Sequence, residues 1–136
     1  MGGAAGRKAL IVDDEADLRL VLGEFLREEG WSVLEAGDGD DALWQAISKH
    51  PDVIILDVTM RDREDGFRVY RELRGDRRTE HIPVIFLTAV NELELGTPHT
   101  EATVAERFGV PEPEAFLSKP FDMGEVQAAL ARIFGE

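Results

Sequence analysis

None of the 136 residues is cysteine, which excludes disulfide staples and thiolate chemistry and is compatible with a reducing compartment. Positive charge is scarce as well: 15 Lys and Arg stand against 28 Asp and Glu, for a formal net charge of -13 at pH 7. Such a chain repels phosphate backbones and anionic membrane surfaces, so direct binding of nucleic acid or membrane is not expected. No apolar run is long enough to span a bilayer, and the opening Met-Gly-Gly-Ala-Ala-Gly lacks the apolar core of a signal peptide. Internal repeats, low-complexity tracts and linkers are also missing. The expectation is a cytoplasmic protein with a flexible tail over residues 1–7 and one domain over residues 8–136, long enough to bury a core.

What the chain does have is a series of short apolar runs that end in polar residues. Val53-Ile54-Ile55-Leu56, after Pro51-Asp52, fits a strand buried on both faces and stops at Asp57. Lys8 to Val12 is a second strand candidate, ending in Asp13-Asp14-Glu15. Val84-Ile85-Phe86-Leu87 ends at Thr88, and Ala115 to Ser118 ends at Lys119. Trp31 to Glu35 alternates in the manner of a half-exposed strand.

Helical spacing fills the intervals. Leu18, Val21, Leu22, Phe25 and Leu26 form one apolar stripe, closed by Gly30. Asp38 opens a helix with Ala42, Leu43, Ala46 and Ile47 inward, closed by His50-Pro51. A third helix is expected from about Gly66 to Arg74, and another from Thr100 to Phe108 with Gly109 as its stop. Asp122 with Glu125 reads as a capping box for a last helix that buries Val126, Ala129, Leu130, Ile133 and Phe134. Parallel strands need crossover helices, so five strands alternating with five helices predict an α/β fold: a doubly wound, five-stranded parallel sheet with helices on both faces.

In such sheets ligands bind at the carboxyl ends of the strands. Four strand ends therefore converge on one rim, bringing Asp13 and Asp14, Asp57, Thr88 and Lys119. Singly, each has a bland reading: Asp14 as a helix cap, Asp57 or Thr88 as a turn residue, Lys119 as a solvated charge. Together they read as a site. Clustered carboxylates repel one another unless a cation sits among them, and hard oxygen ligands favour Mg²⁺. With Mg²⁺ and an ammonium opposite, Asp57 becomes a carboxylate nucleophile for phosphoryl transfer, the phosphoryl charge being shared with Lys119 and the Thr88 hydroxyl.

These motifs resemble the receiver domain of bacterial two-component response regulators, a flavodoxin-like fold. The resemblance runs from about Lys8 to Phe134 and rests on Asp13-Asp14-Glu15, Ile54-Ile55-Leu56-Asp57, Asp65-Gly66, Phe86-Leu87-Thr88-Ala89 and Leu117-Ser118-Lys119-Pro120-Phe121. It implies that Asp57 accepts a phosphoryl group from a sensor histidine kinase or phosphotransfer protein and that the domain signals by conformational change. It also implies Mg²⁺ held by Asp14, Asp57 and the Thr59 carbonyl, with Asp13 acting through water. Lys119 would pair with the phosphoryl group, Thr88 would swing toward it, Phe116 would change rotamer, and Lys119-Pro120 would be cis. A downstream effector or a homodimer would use the 91–121 face. The sequence departs from the family pattern at Arg61, where a proline is usual, and is longer than usual between Thr88 and Lys119.

Two other functions compete. An aspartyl-phosphate phosphohydrolase would carry an acid/base carboxylate two residues after the nucleophile, where this chain has Thr59. A phosphorylation-independent binding module would not need the complete set of Asp13, Asp14, Asp57, Thr88 and Lys119. The reading is a phosphoacceptor signalling domain rather than an enzyme. Its acyl phosphate is expected to be long-lived, since neither Thr59 nor Val90 can orient an attacking water well. His50, His81 and His99 are too scattered for a metal site. Trp31 and Trp44 read as packing residues, and Arg74 to Arg78 as a solvated loop.

Overall fold

The computed structural model describes residues 6–58, 63–89 and 113–135. Its strands are β1 (Lys8–Val12), β2 (Ser32–Ala36), β3 (Val53–Asp57), β4 (Val84–Ala89) and β5 (Ala115–Lys119). Its helices are α1 (Ala16–Glu28), α2 (Gly39–Lys49), α3 (Arg63–Gly75) and α4 (Met123–Phe134). The strands form one parallel sheet in the order β2-β1-β3-β4-β5. The expected tail over residues 1–5, the loop with Thr59, Met60 and Arg61, Val90, and the expected helix Thr100 to Phe108 lie outside the described residues. Arg7, assigned to the tail from the sequence, is tied down: its guanidinium stands 4.2 Å over the Phe134 ring and its carbonyl accepts from the Ser32 amide.

Because neighbouring side chains of a strand point to opposite faces, the aliphatic run of β3 feeds two cores. Ile54 and Leu56 pack with Leu10, Val12 and Phe86 under α2 and α3. Val53 and Ile55 pack with Ile11, Ile85 and Leu87 under α1 and α4. Each aliphatic side chain buried in this way stabilises by roughly 1.5–3 kcal/mol, so a central strand of continuous apolar residues is held from both sides. Asp38 and Asp122 cap α2 and α4 by accepting from the Asp41 and Glu125 amides at 2.8 Å. Gly30, at φ +96°, and His50, at φ +51°, turn the chain out of α1 and α2. For His50 this is the left-handed region that non-glycine residues seldom occupy.

Several sequence expectations are corrected. α3 begins at Arg63, before Gly66, and β4 runs to Ala89, so Thr88 lies inside the strand. Val21 is 57% exposed although it shares the spacing of the buried Leu22 and Leu26; it lines an open groove of about 550 Å³ with Leu18, Phe121 and Met123. Trp31 does pack, edge-on against Phe134, but Trp44 is 60% exposed.

Arg74 is the largest correction, because its side chain is only 5% exposed. It donates to the Ile82 carbonyl at 2.6 Å, the Glu80 carbonyl at 3.1 Å, the Tyr70 hydroxyl at 3.2 Å and Glu114 Oε1 at 2.7 Å. The same Glu114 oxygen accepts from the Val84 amide at 2.7 Å. One guanidinium thus ties the end of α3 to the starts of β4 and β5, a use of the planar donor fork that lysine could not reproduce.

Candidate functional site

All five strands run the same way, so their carboxyl ends lie along one edge, and the two central strands bring their acids side by side. Val12 pairs with Leu56, which puts Asp13 and Asp57 just beyond adjacent strand positions. Asp13 is 0% exposed and Asp57 1% exposed, while Asp14 is exposed. One carboxylate oxygen from each of Asp13, Asp14 and Asp57 lies within 4.8 Å of the others. Hard oxygen donors that close suit a divalent cation such as Mg²⁺, which needs only one or two carboxylates and keeps several waters.

Lys119 comes from the edge strand and reaches across β4 to the acids. Its Nζ lies 3.0 Å from Asp13 Oδ2, 3.1 Å from Asp57 Oδ2 and 3.3 Å from Glu15 Oε1. Burial alone would lower the lysine's pKa, but the Asp57 and Asp13 carboxylates together more than offset that and raise it above its ordinary value. Asp13 is pushed up to about 6, chiefly by burial and further by the charge of Asp57, against the lowering effect of the Glu15 amide and Lys119. That amide donates to Asp13 Oδ1 at 2.9 Å, so Asp13 shapes the turn into α1.

Thr88 is 3% exposed on β4, paired with Ser118. Phe86 pairs with Phe116, and the alternation of side chains puts Thr88, Phe86 and Phe116 on one face of the sheet. The half-buried Phe116 stacks edge-on against Phe86 with ring centroids 5.4 Å apart; Tyr70 and Phe67 of α3 meet the same Phe86 ring at 4.8 and 5.9 Å. A continuous aromatic contact therefore links α3 to β5 beneath the rim. Lys119-Pro120 is cis.

Of the residues picked out from the sequence, Asp13, Asp14, Asp57 and Lys119 meet at the rim, Thr88 lies on β4 beside it, and Phe116 lies below on the same face as Thr88. The Thr59 carbonyl is outside the described residues, as is most of the 91–121 face. Two contributors had no assigned role. Glu15 reaches Lys119, and its place next to two aspartates was the available signal. Gly66 packs so closely that a Cβ there would stand 2.6 Å from Val58 Cα and 2.7 Å from the Asp57 carbonyl oxygen. Only glycine lets α3 approach the end of β3 this closely. Its pairing with Asp65 in the sequence marked the position without giving this reason.

Comparison with known proteins agrees with this geometry. The family model for the response regulator receiver domain matches residues 9–131. The transcriptional regulatory protein PdtaR of Mycobacterium tuberculosis is 41% identical over 93 residues, covering 68% of this chain and 43% of PdtaR. The response regulator PleD of Caulobacter vibrioides is 45% identical over 85 residues, covering 62% of this chain and 18% of PleD. The chain thus spans less than half the length of these relatives. Among solved structures, the chemotaxis response regulator CheY4 of Vibrio cholerae superposes with a TM-score of 0.75 at 27% identity, covering 93% of this chain and 98% of that one. The receiver domain of a Pseudomonas aeruginosa PAO1 sensor histidine kinase, with a magnesium ion coordinated in its active-site cleft, gives 0.77 at 28% identity over 97% of this chain and 100% of its own.

Proposed function

The chain belongs to the response regulator receiver family, and from that membership we propose that Asp57 is its phosphoacceptor, charged by a sensor histidine kinase or a phosphotransfer protein. The observation that carries the reading is the placement of Lys119 Nζ between Asp57 Oδ2 and Asp13 Oδ2, at 3.1 and 3.0 Å. A carboxylate oxygen of Asp57 attacks the phosphorus of a phosphohistidine whose other ring nitrogen carries a proton; the P–N bond breaks, its electron pair stays on the nitrogen, neutral imidazole leaves, and an acyl phosphate remains on Asp57. Lys119 transfers its hydrogen bond from Asp57 to the arriving phosphoryl oxygens. Thr88, held within β4 beside Asp57's strand, offers them its hydroxyl, and Phe116 follows on the same face of the sheet.

Asp14 and Asp57, with Asp13 through water, are the side chains that fit Mg²⁺, and when bound that ion would supply countercharge for the phosphoryl oxygens. The described residues include no helix long and apolar enough to cross a membrane. The domain's location in the cytoplasm, with a kinase or phosphotransfer protein as donor, is part of the same proposal.

Incubation with a small phosphodonor and Mg²⁺, followed by intact mass, tests the reading. One stable phosphoryl addition, absent in Asp57→Asn, is the expected result. Rapid multiple turnover of the donor would favour a phosphohydrolase. No addition at all would leave the phosphorylation-independent binding module.

A further inference from the structure

We infer that Arg19 is a positioning residue for the acidic turn, fixing the backbone of Asp13 so that the Asp13, Asp14 and Asp57 carboxylates converge on a divalent cation. The inference rests on the reading that this cluster takes Mg²⁺. Beyond its amide, which still pairs with the Ala36 carbonyl of β2 at 3.1 Å, Asp13 leaves the sheet and the chain turns into α1. Its carbonyl is then left without a strand partner in a residue shut off from water, where an unsatisfied acceptor costs free energy. Arg19 Nη1 supplies the donor at 2.6 Å.

The guanidinium is also anchored on β2. Its Nε donates to Glu35 Oε1 on β2 at 3.2 Å, and the other Glu35 oxygen lies 3.7 Å from Arg27 Nη2. Gly37 leaves the space it occupies, because a Cβ there would stand 3.3 Å from Arg19 Nη1. Arg19 thereby differs from Lys119. Lysine bonds the carboxylate oxygens directly and competes with a cation for them, whereas the arginine grips the turn through a backbone oxygen and takes no ligand atom of Asp13. Groups that orient metal ligands from behind typically contribute ~10- to 100-fold to metal affinity.

The test is Mg²⁺ titration of the metal-free domain, followed through the amide chemical shifts of Asp13 to Glu15. Arg19→Gln should weaken Mg²⁺ binding about tenfold. Arg19→Lys, which restores one donor, should recover part of that loss. Glu35→Ala frees the guanidinium from its anchor and should weaken binding too, and combining it with Arg19→Gln should add nothing further, since both act through one contact. Wild-type affinity in Arg19→Gln, or additive losses in the double variant, would overturn the inference while leaving the phosphoacceptor reading intact. Should Arg19→Gln fail to fold, unchanged affinity in Glu35→Ala would overturn it equally. Absence of Mg²⁺ binding by the wild type would instead sink the metal reading of the site, and this inference with it.

Discussion

Lys119 Nζ lies 3.1 Å from Asp57 Oδ2, although the two residues are 62 positions apart in the chain and their strands are separated by β4. The same ammonium serves Asp13 at 3.0 Å, so the charge of Asp57 is felt by Asp13 both directly and through their shared partner.

Replacing Asp57 by Asn keeps the side-chain volume and removes one charge. Phosphoryl labelling should disappear. The Asp13 pKa, held near 6 by burial and partly by the Asp57 charge, should move down toward the ordinary carboxylate range. Carboxyl-carbon NMR titration of both proteins checks this, and an Asp13 titration unchanged in the variant would contradict it.

Asp13 also sets a pH dependence of stability. Its folded pKa of about 6 lies above the ordinary 3.8, so the folded domain binds more protons than the unfolded chain between those values. The stability this contributes is complete below 3.8 and is lost as pH rises through about 6. Asp76 acts in the opposite sense at lower pH. Hydrogen bonds from the Arg78 side chain and amide hold it at about 2, so its contribution is present above 3.8 and lost as pH falls through about 2. In metal-free protein, denaturant unfolding should show the stability of wild type falling relative to Asp13→Asn as pH rises from 3.8 through about 6. A difference flat with pH would count against the assignment.

Arg74→Ala should destabilise the domain by about 1–3 kcal/mol, the usual cost of leaving shielded hydrogen-bonding groups without a partner. The Glu80 and Ile82 carbonyls lose a donor, and Glu114 loses its countercharge. Arg74→Lys should recover only a part, since one ammonium cannot replace the fork. Urea unfolding measures both, and a loss below about 1 kcal/mol, the level of an exposed pair, would show that the arginine is not holding these segments.

Gly66→Ala should push α3 away from the end of β3. The added methyl meets backbone at 2.6 and 2.7 Å, where no flexible side chain can yield. Overpacking of this kind costs about 1–3 kcal/mol, and the carbonyl that shifts belongs to Asp57. Both the melting temperature and the rate of phosphorylation should fall. A variant of wild-type stability and rate would mean that the helix gives way without cost.

Thr88→Ala should still be labelled on Asp57, but the change should no longer reach β5. In the wild type, phosphorylation should perturb the ring resonances of Phe86 and Phe116, which share a face with Thr88. Equal perturbation in the variant would separate Thr88 from the switch.

How much was legible in advance follows from what each signal encodes. The strands could be read because continuous aliphatic runs such as Val53 to Leu56 have few other uses, and the rim followed from the polar residue at each end. The register that puts Asp13 beside Asp57 was not needed, since parallel strands bring their ends together anyway. Helical spacing gives the direction of an apolar stripe but not its width, which is why Val21 was placed inward, whereas Trp44 was assigned to packing from its residue type alone. The start of α3 was missed because Gly66 has poor helical propensity and reads as a breaker, whereas tertiary packing against Val58 requires it. Arg19 and Arg74 carry no local mark. Glu35 lies on a strand 16 residues beyond Arg19, and Glu114 lies 40 residues beyond Arg74.

The Arg74–Glu114 pair has a mechanical consequence for β5. Glu114 is clamped at the start of the strand by Arg74 and by two hydrogen bonds with Val84. The Lys119 side chain, roughly 16 Å along at about 3.3 Å per residue, is held by charges that phosphorylation rearranges, while its backbone pairs with Ala89 of β4. Among the described residues, β5 is an edge strand that pairs with β4. Its side-chain anchors thus differ at the two ends, a fixed clamp at the root and a rearrangeable charge cluster at the tip, and Phe116 sits close to the root. A load applied at Lys119 bends the strand least at the clamp and most at Ser118 and Lys119, so amide exchange after phosphorylation should change in a gradient that rises from Ala115 toward the rim.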